Sequence, residues 1–243
     1  MKRNILVTGG TRGLGFAVVK RLVSDGYHVI ATARSISGEM ESLMRQDNHP
    51  GLVSFYPYDF TDTKDIHDFV KMVVAETGNL YGLVNNAALG YDGVLATMHD
   101  SQIEELLKVN VLSPVLLTKY VVRNMILQKS GRIINIASII ANTGFNGLSV
   151  YGASKAALVG FTKSLARELG KANITVNSIA PGFLTTGMTR SLQGDKLDAI
   201  KRRSPLNRLA DVNDVAHAVS FLVSEGASSI TGTTITVDAG STS

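Results

Sequence analysis

The stretch Asn4-Ile5-Leu6-Val7-Thr8-Gly9-Gly10-Thr11-Arg12-Gly13-Leu14-Gly15 decides the fold. A short apolar run of strand character enters a glycine turn, and a helical pattern follows at once over 14–24. Gly9, Gly13 and Gly15 permit a tight turn and a close approach of backbone to a pyrophosphate. The helix start adds free N–H donors and the positive end of its dipole. The spacing is not the common G-x-G-x-x-G fingerprint, and the Gly-Lys-Ser/Thr ending of a phosphate-hydrolysing loop is missing. The plainer reading is a glycine turn at a strand–helix junction; its place after the first strand of a βαβ unit favours the ligand.

Outward from that turn, strand-like runs at 4–8, 28–33, 53–58, 82–85, 132–137, 175–179 and 233–237 alternate with helical patterns at 14–24, 63–76, 101–128, 150–169 and 212–224, and a less regular one at 36–46. Most of the strand runs are continuously apolar, as strands buried on both faces of a parallel sheet are. The alternation predicts an α/β fold: a single-domain Rossmann-type doubly wound parallel sheet over 1–243, seven strands flanked by helices, with right-handed crossovers. The least regular stretch, 183–204, contains Gly187 and Gly194 and reads as a substrate lid.

Composition narrows the classes further. A chain of 243 residues that is 44% hydrophobic has enough apolar surface to fold, which excludes disorder. Without cysteine there is no disulfide framework, thiolate metal site or cysteine nucleophile, and no metal is expected. No apolar run approaches the roughly 20 residues of a membrane span. The basic, then apolar opening imitates a signal peptide but ends at once in the glycine turn, so a cytoplasmic protein is expected. The net charge of +4 is scattered, with no basic run or aromatic interleaving, and suits an anionic ligand rather than nucleic acid.

The end of the second strand indicates which dinucleotide. An acidic residue there would bond the ribose hydroxyls of NAD; here the run is Ala31-Thr32-Ala33-Arg34-Ser35. Guanidinium groups at Arg34 and Arg12 suit the 2′-phosphate of NADP(H), against a plainer reading as solvated surface arginines. Asp59, after the third strand, is a candidate for the adenine amino group or simply a turn cap. Asn85-Asn86-Ala87 ends the fourth strand and either lines a ribose or ties strand ends together.

Tyr151-Gly152-Ala153-Ser154-Lys155 lies in a helical pattern, with Tyr151 and Lys155 one turn apart on a shared face. A nearby ammonium favours phenolate over a phenol of pKa about 10, making the tyrosine a usable proton donor or acceptor; by itself the pair also fits a solvated helix. Ser138 follows the fifth strand, at the sheet edge where ligands bind in open α/β folds, so its hydroxyl is placed to hold a carbonyl or to cap the strand. Asn110 lies within an apolar helical pattern, where an amide must be bonded, either in a buried network or to a water that relays protons.

Taken together, Thr8-Gly9, Gly13-Leu14-Gly15, Asn85-Asn86-Ala87, Asn110, Ser138, Tyr151 with Lys155, and Pro181-Gly182 resemble the short-chain dehydrogenase/reductase family over essentially the whole chain. The resemblance implies strand order 3-2-1-4-5-6-7 and a homotetramer or homodimer. It implies that Tyr151 protonates the substrate oxygen, Lys155 lowers the Tyr151 pKa and holds the nicotinamide ribose, Ser138 positions the carbonyl and Asn110 completes a proton relay. Cofactor-contacting positions would be Gly9, Gly10, Thr11, Arg12, Gly13, Leu14, Arg34, Asp59, Phe60, Asn86, Ala87, Pro181, Gly182, Leu184 and Thr186, beside Tyr151 and Lys155.

Within the family the chain is most similar to the 3-oxoacyl-[acyl-carrier-protein] reductases, through Ser164-Leu165-Ala166-Arg167-Glu168, Ile174-Thr175-Val176-Asn177-Ser178-Ile179-Ala180-Pro181-Gly182-Phe183 and Val237-Asp238-Ala239-Gly240. That implies an acyl substrate carried by an acidic carrier protein docking near Lys129, Arg132 and Lys171. Departures from the pattern are Ala88, Phe145, Leu148, Ala172 and Gly187; Phe145 and Leu148 make the loop before Tyr151 more apolar. Two other readings stay open: a reductase or dehydrogenase of a free small ketone, alcohol, sugar or steroid, and a catalytically silent NADP-binding sensor or interaction protein.

Overall fold

The computed structural model describes residues 3–45, 51–184 and 201–243. Strands β1 (Asn4–Thr8), β2 (His28–Ala33), β3 (Val53–Pro57), β4 (Leu80–Asn85), β5 (Gly131–Ile136), β6 (Ile174–Pro181) and β7 (Thr234–Val237) form one parallel sheet in the order β3-β2-β1-β4-β5-β6-β7. The expected doubly wound α/β architecture is therefore present. Order reverses between β1 and β4, which opens a crevice at the carboxyl edge of the sheet.

The helices are α1 (Gly13–Ser24), α2 (Gly38–Met44), α3 (Ile66–Thr77), α4 (Asp100–Leu107), α5 (Ser113–Gln128), α6 (Ile140–Thr143), α7 (Ser149–Leu169) and α8 (Val212–Val223). Alternating strand residues face two separate cores. Ile5 and Val7 pack with α1, Met40 and α8 on one side; Leu6 packs with α3, α5 and α7 on the other. This is the two-faced burial that apolar strands require, and only the edge strands β3 and β7 are partly open.

Two sequence expectations change. The sixth strand runs on to Pro181, where a proline reads as a stop. It lacks an N–H, but its carbonyl accepts from Ile139 N at 3.0 Å and the next residue, Gly182, donates to Val237 O at 2.9 Å. The helix expected over 101–128 is α4 and α5 joined by a π-turn, Lys108–Leu112. Pro114, in the first turn of α5, lacks the N–H that the Asn110 carbonyl would meet in an α-helix, and the turn widens there instead.

Of the three cations expected to receive a carrier, Arg132 needs correction. Its side chain is 2% exposed. The guanidinium lies 5.5 Å from the Tyr81 ring centroid and donates to Gly131 O at 3.0 Å and Glu225 Oε2 at 3.4 Å, while Arg3 lies 4.3 Å from the same ring. A group so placed joins strand to turn and cannot meet a partner. Lys129 caps α5 in the left-handed region and Lys171 lies in the turn Gly170–Ala172. Both precede the amino ends of β5 and β6, about 20 Å of strand away from the carboxyl edge. Arg132→Ala is expected to lower unfolding free energy by about 2–3 kcal/mol through lost packing and pairing, measured by urea denaturation; an unchanged midpoint would contradict this placement.

Candidate active site

The turn after β1 is shaped by backbone contacts. Gly9 and Gly13 have φ of +64° and +54°, where a side chain would be strained. At Gly15 a Cβ would stand 2.0 Å from the Gly9 carbonyl oxygen, so the helix closes on the turn only with glycine there. Gly9 N and Gly10 N donate to Thr32 O at 2.7 and 3.3 Å. Ser37, the N-cap of α2, donates its hydroxyl to Thr11 O at 2.6 Å. Among the described residues no side chain caps α1 and no acid lies in its first turn, which leaves its amides for an anion. Arg12 and Arg34 are exposed on the two loops beside it, and among the described residues neither forms an ion pair.

Thr8 holds the crevice together. Its Oγ accepts from Asn86 N and Ala87 N, each at 2.9 Å, and donates to Val84 O at 3.4 Å. Asn86 Nδ2 donates to Thr8 O at 2.9 Å and Gly9 O at 3.3 Å. Asn85 donates to Thr118 Oγ at 3.0 Å and Asn135 Oδ1 at 2.8 Å, and Asn135 donates to Thr162 Oγ at 2.8 Å. The asparagines thus tie strand ends together. Asp59 Oδ1 accepts from Thr61 N and Oγ at 2.9 Å each, a turn cap. The Phe60 ring is buried against Tyr58 and Phe69, which leaves its backbone rather than its ring for a cofactor contact.

Three of the four residues named for chemistry, Ser138, Tyr151 and Lys155, gather at the carboxyl end of β5; Asn110 reaches the same helix through Ser154. The Ser138 hydroxyl accepts from Ile140 N at 3.2 Å. Gly152 lets α7 approach α6, since a Cβ there would lie 3.3 Å from Ile140 Cγ2 and O; that approach brings Tyr151 to Ser138. Burial raises the Tyr151 phenol above its usual value, and the Ser138 hydrogen bond partly offsets the rise. Lys155 is buried, with Nζ donating to Ile136 O at 2.9 Å and lying 5.6 Å from the Tyr151 ring centroid; burial brings its ammonium down to about 8. In this structure the phenol is held up, and the serine is the group that pulls it down.

Asn110 lies in the π-turn at 1% exposure. Its Oδ1 accepts from Leu89 N at 2.8 Å, and its Nδ2 donates to Leu89 O at 2.9 Å and Ser154 Oγ at 3.1 Å. The side chain is a satisfied network member that fixes the loop after β4 to α7.

The far wall follows β6. Gly182 packs on Asp238, where a Cβ would lie 2.7 Å from Asp238 Cβ, and Leu184 is buried and bridged to Ala210. Asp238 accepts from Gly240 N at 2.9 Å, Thr242 N at 2.9 Å and Thr242 Oγ at 2.7 Å. Ser204 Oγ donates to Ala239 O. Thr186, Gly187, Gly194 and most of the expected lid lie outside the described residues.

A family model described as "Enoyl-(Acyl carrier protein) reductase" matches residues 9–242. The 3-oxoacyl-[acyl-carrier-protein] reductase FabG of Haemophilus influenzae is 41% identical over 236 residues, 97% of this chain and 96% of the relative; the FabG of Escherichia coli K12 is 40% identical over 97% and 95%. The structure of ElxO with NADP bound is 31% identical with a TM-score of 0.91 and covers 99% of both chains. The chain belongs to the short-chain dehydrogenase/reductase family.

For this short-chain dehydrogenase/reductase, sequence reading found the reactive cluster but missed Thr8, Thr118, Asn135 and Thr162 as the polar frame beneath it. An asparagine inside the apolar run Ile133-Ile134-Asn135-Ile136 was the available signal, because a buried amide demands partners. Thr8→Val keeps the shape and leaves two amides without an acceptor. Unfolding free energy is expected to fall by about 2–4 kcal/mol, read by chemical denaturation; a loss under 0.5 kcal/mol would overturn Thr8 as the frame's centre.

Proposed function

We propose that the chain reduces 3-oxoacyl thioesters to 3-hydroxyacyl thioesters with NADPH, in acyl-chain biosynthesis. The observation that carries this is buried Lys155, whose Nζ donates to the Ile136 carbonyl and lies 5.6 Å from the Tyr151 ring centroid, at the end of a crevice whose other end is an uncapped helix N-terminus. The names of the FabG relatives and the NADP of ElxO support it.

The donor set fits the cofactor. The α1 amides and Gly9–Gly15 turn would receive the pyrophosphate, Arg12 and Arg34 the 2′-phosphate, and Lys155 the nicotinamide ribose. A bound NADPH supplies hydride to the carbonyl carbon. Ser138 donates to the carbonyl oxygen and holds it against the Tyr151 hydroxyl. Tyr151, kept protonated by burial, gives its proton to that oxygen as the alcohol forms. Lys155 then faces the developing phenolate with positive charge. Asn110, whose side chain ties the loop after β4 to Ser154 on the helix that bears Tyr151, would complete a proton relay through a bound water. Exposed Leu107, Leu112, Ile126 and Leu127 along α4 and α5 support a homo-oligomer through this face.

The test is oxidation of NADPH, against NADH, with acetoacetyl thioesters on coenzyme A or carrier protein and with free ketones alongside. Preference for NADPH and for thioesters is expected. Turnover of free ketones alone would favour the small-ketone reading, and preference for NADH would remove Arg12 and Arg34 from the phosphate site. Tyr151→Phe should lose at least 10³-fold in kcat while NADPH still binds, as judged by fluorescence titration; a Tyr-to-Phe variant of ElxO carries NADPH in its own structure.

The pH profile has a definite sign. Lys155 is charged below about 8 and neutral above it, whereas Tyr151, raised by burial, stays protonated across that range. Reductive kcat/KM for NADPH, which reports the free enzyme, is thus expected to fall as pH rises through about 8. Lys155→Arg, permanently charged, should remove that fall even if its overall rate is lower. A wild-type profile level to pH 9.5 would contradict the assignment.

A further inference from the structure

The loop between α6 and α7 contains Phe145-Asn146-Gly147-Leu148, the only place in the chain where glycine follows asparagine. Leu148 N donates to Phe145 O at 3.1 Å, and Gly147 has a φ of +82°. Asn146 and Gly147 therefore form the centre of a tight turn with glycine at its third position. Such a turn uses the N–H of its fourth residue and leaves that of the third unbonded. Among the described residues Gly147 N donates to no acceptor, and the exposed Asn146 side chain has no hydrogen-bond partner. The two Asp-Gly pairs of the chain, Asp25-Gly26 and Asp92-Gly93, are held differently. Gly26 N donates to Val23 O at 2.9 Å and Gly93 N to Gly147 O at 3.0 Å. Asn85, Asn110, Asn135 and Asn177 are buried with their amides bonded, and each precedes a residue with a side chain.

We propose that Asn146 is a site of spontaneous deamidation, and that its product loosens the loop leading into the helix that bears Tyr151. The Gly147 backbone nitrogen gives its proton to solvent base and attacks Asn146 Cγ. The new C–N bond closes a five-membered succinimide, and the side-chain nitrogen leaves as ammonia. Water then opens the ring at either carbonyl. One opening leaves aspartate; the other leaves isoaspartate, whose main chain runs through the former side-chain methylene. The sum is amide plus water to carboxylate plus ammonium, with no oxidant or reductant. Glycine suits the step because no Cβ crowds the attacking nitrogen and its backbone turns freely; asparagine is thermally labile in such settings. Either product carries a negative charge. The Gly93–Gly147 bond ties this turn to a loop bearing Asp92, so the new carboxylate meets a like charge. The extra main-chain methylene of isoaspartate also displaces Gly147 O from Gly93 N.

The experiment incubates the full chain in warm, mildly alkaline buffer, folded and in urea, beside Asn146→Gln. Trypsin releases residues 133–155 as one peptide, which is read by mass spectrometry; isoaspartate is read with a methyltransferase specific for it. A gain of one mass unit at Asn146 is expected, with Asn135 and Asn142 unchanged. The folded rate should come within about tenfold of the unfolded one, because an exposed turn needs little opening. Asn146→Gln, whose side chain would have to close a slower six-membered ring, should give no isoaspartate in that peptide. With NADPH and acetoacetyl coenzyme A, kcat/KM of the wild type should fall in step with the isoaspartate while Asn146→Gln holds its rate. Equal melting temperatures before incubation will verify that the variant folds. No mass gain at Asn146, or a folded rate below that margin, overturns the site. A loss of activity that Asn146→Gln shares, or activity that stays level as Asn146 converts, overturns the loosening. The mass and isoaspartate readings need no substrate, so they stand or fall apart from thioester reduction.

Discussion

A buried ammonium with one neutral acceptor is the constraint on which this site depends. Lys155 Nζ donates to the Ile136 carbonyl, and burial alone lowers its pKa. Holding a cation there is unfavourable unless further acceptors arrive. A ligand rich in hydroxyl oxygens, such as a ribose, or negative charge on the neighbouring phenol would supply that compensation. Because the lysine reaches from α7 back to the end of β5, the same bond sets the helix against the sheet and so decides where Tyr151 stands.

The surrounding frame explains why that placement is stable. Thr8 closes β1 onto the residues after β4; Asn85 and Asn135 continue the polar link through β5 to Thr162 on α7. The glycine turn and α7 are consequently joined through buried and part-buried hydrogen bonds, which fix distance more strictly than apolar packing does. Asn110 adds a second link, from the loop after β4 to Ser154.

Much of this was legible in the amino-acid order. Apolar runs alternating with helical patterns announced the parallel sheet, and the spacing of Tyr151 and Lys155 announced their shared face. What escaped has physical reasons. The electrostatic role of Lys155 depends on depth as well as proximity, and depth is set by packing that no local pattern encodes. Arg132 looks like a surface cation in sequence, but Tyr81 and Glu225 come from distant segments to bury and pair it. The π-turn was hidden because its cause, an absent N–H at Pro114, acts on a carbonyl four residues earlier.

The Asp238 knot has a practical reach beyond the site. Its carboxylate gathers residues 240 to 242, while Gly182 rests on its backbone and Ser204 on the residue after it. Ser243 is thus mechanically coupled to both flanks of the segment between Leu184 and Lys201. Loss of the Asp238 carboxylate would therefore slacken both supports of the crevice wall in a single step.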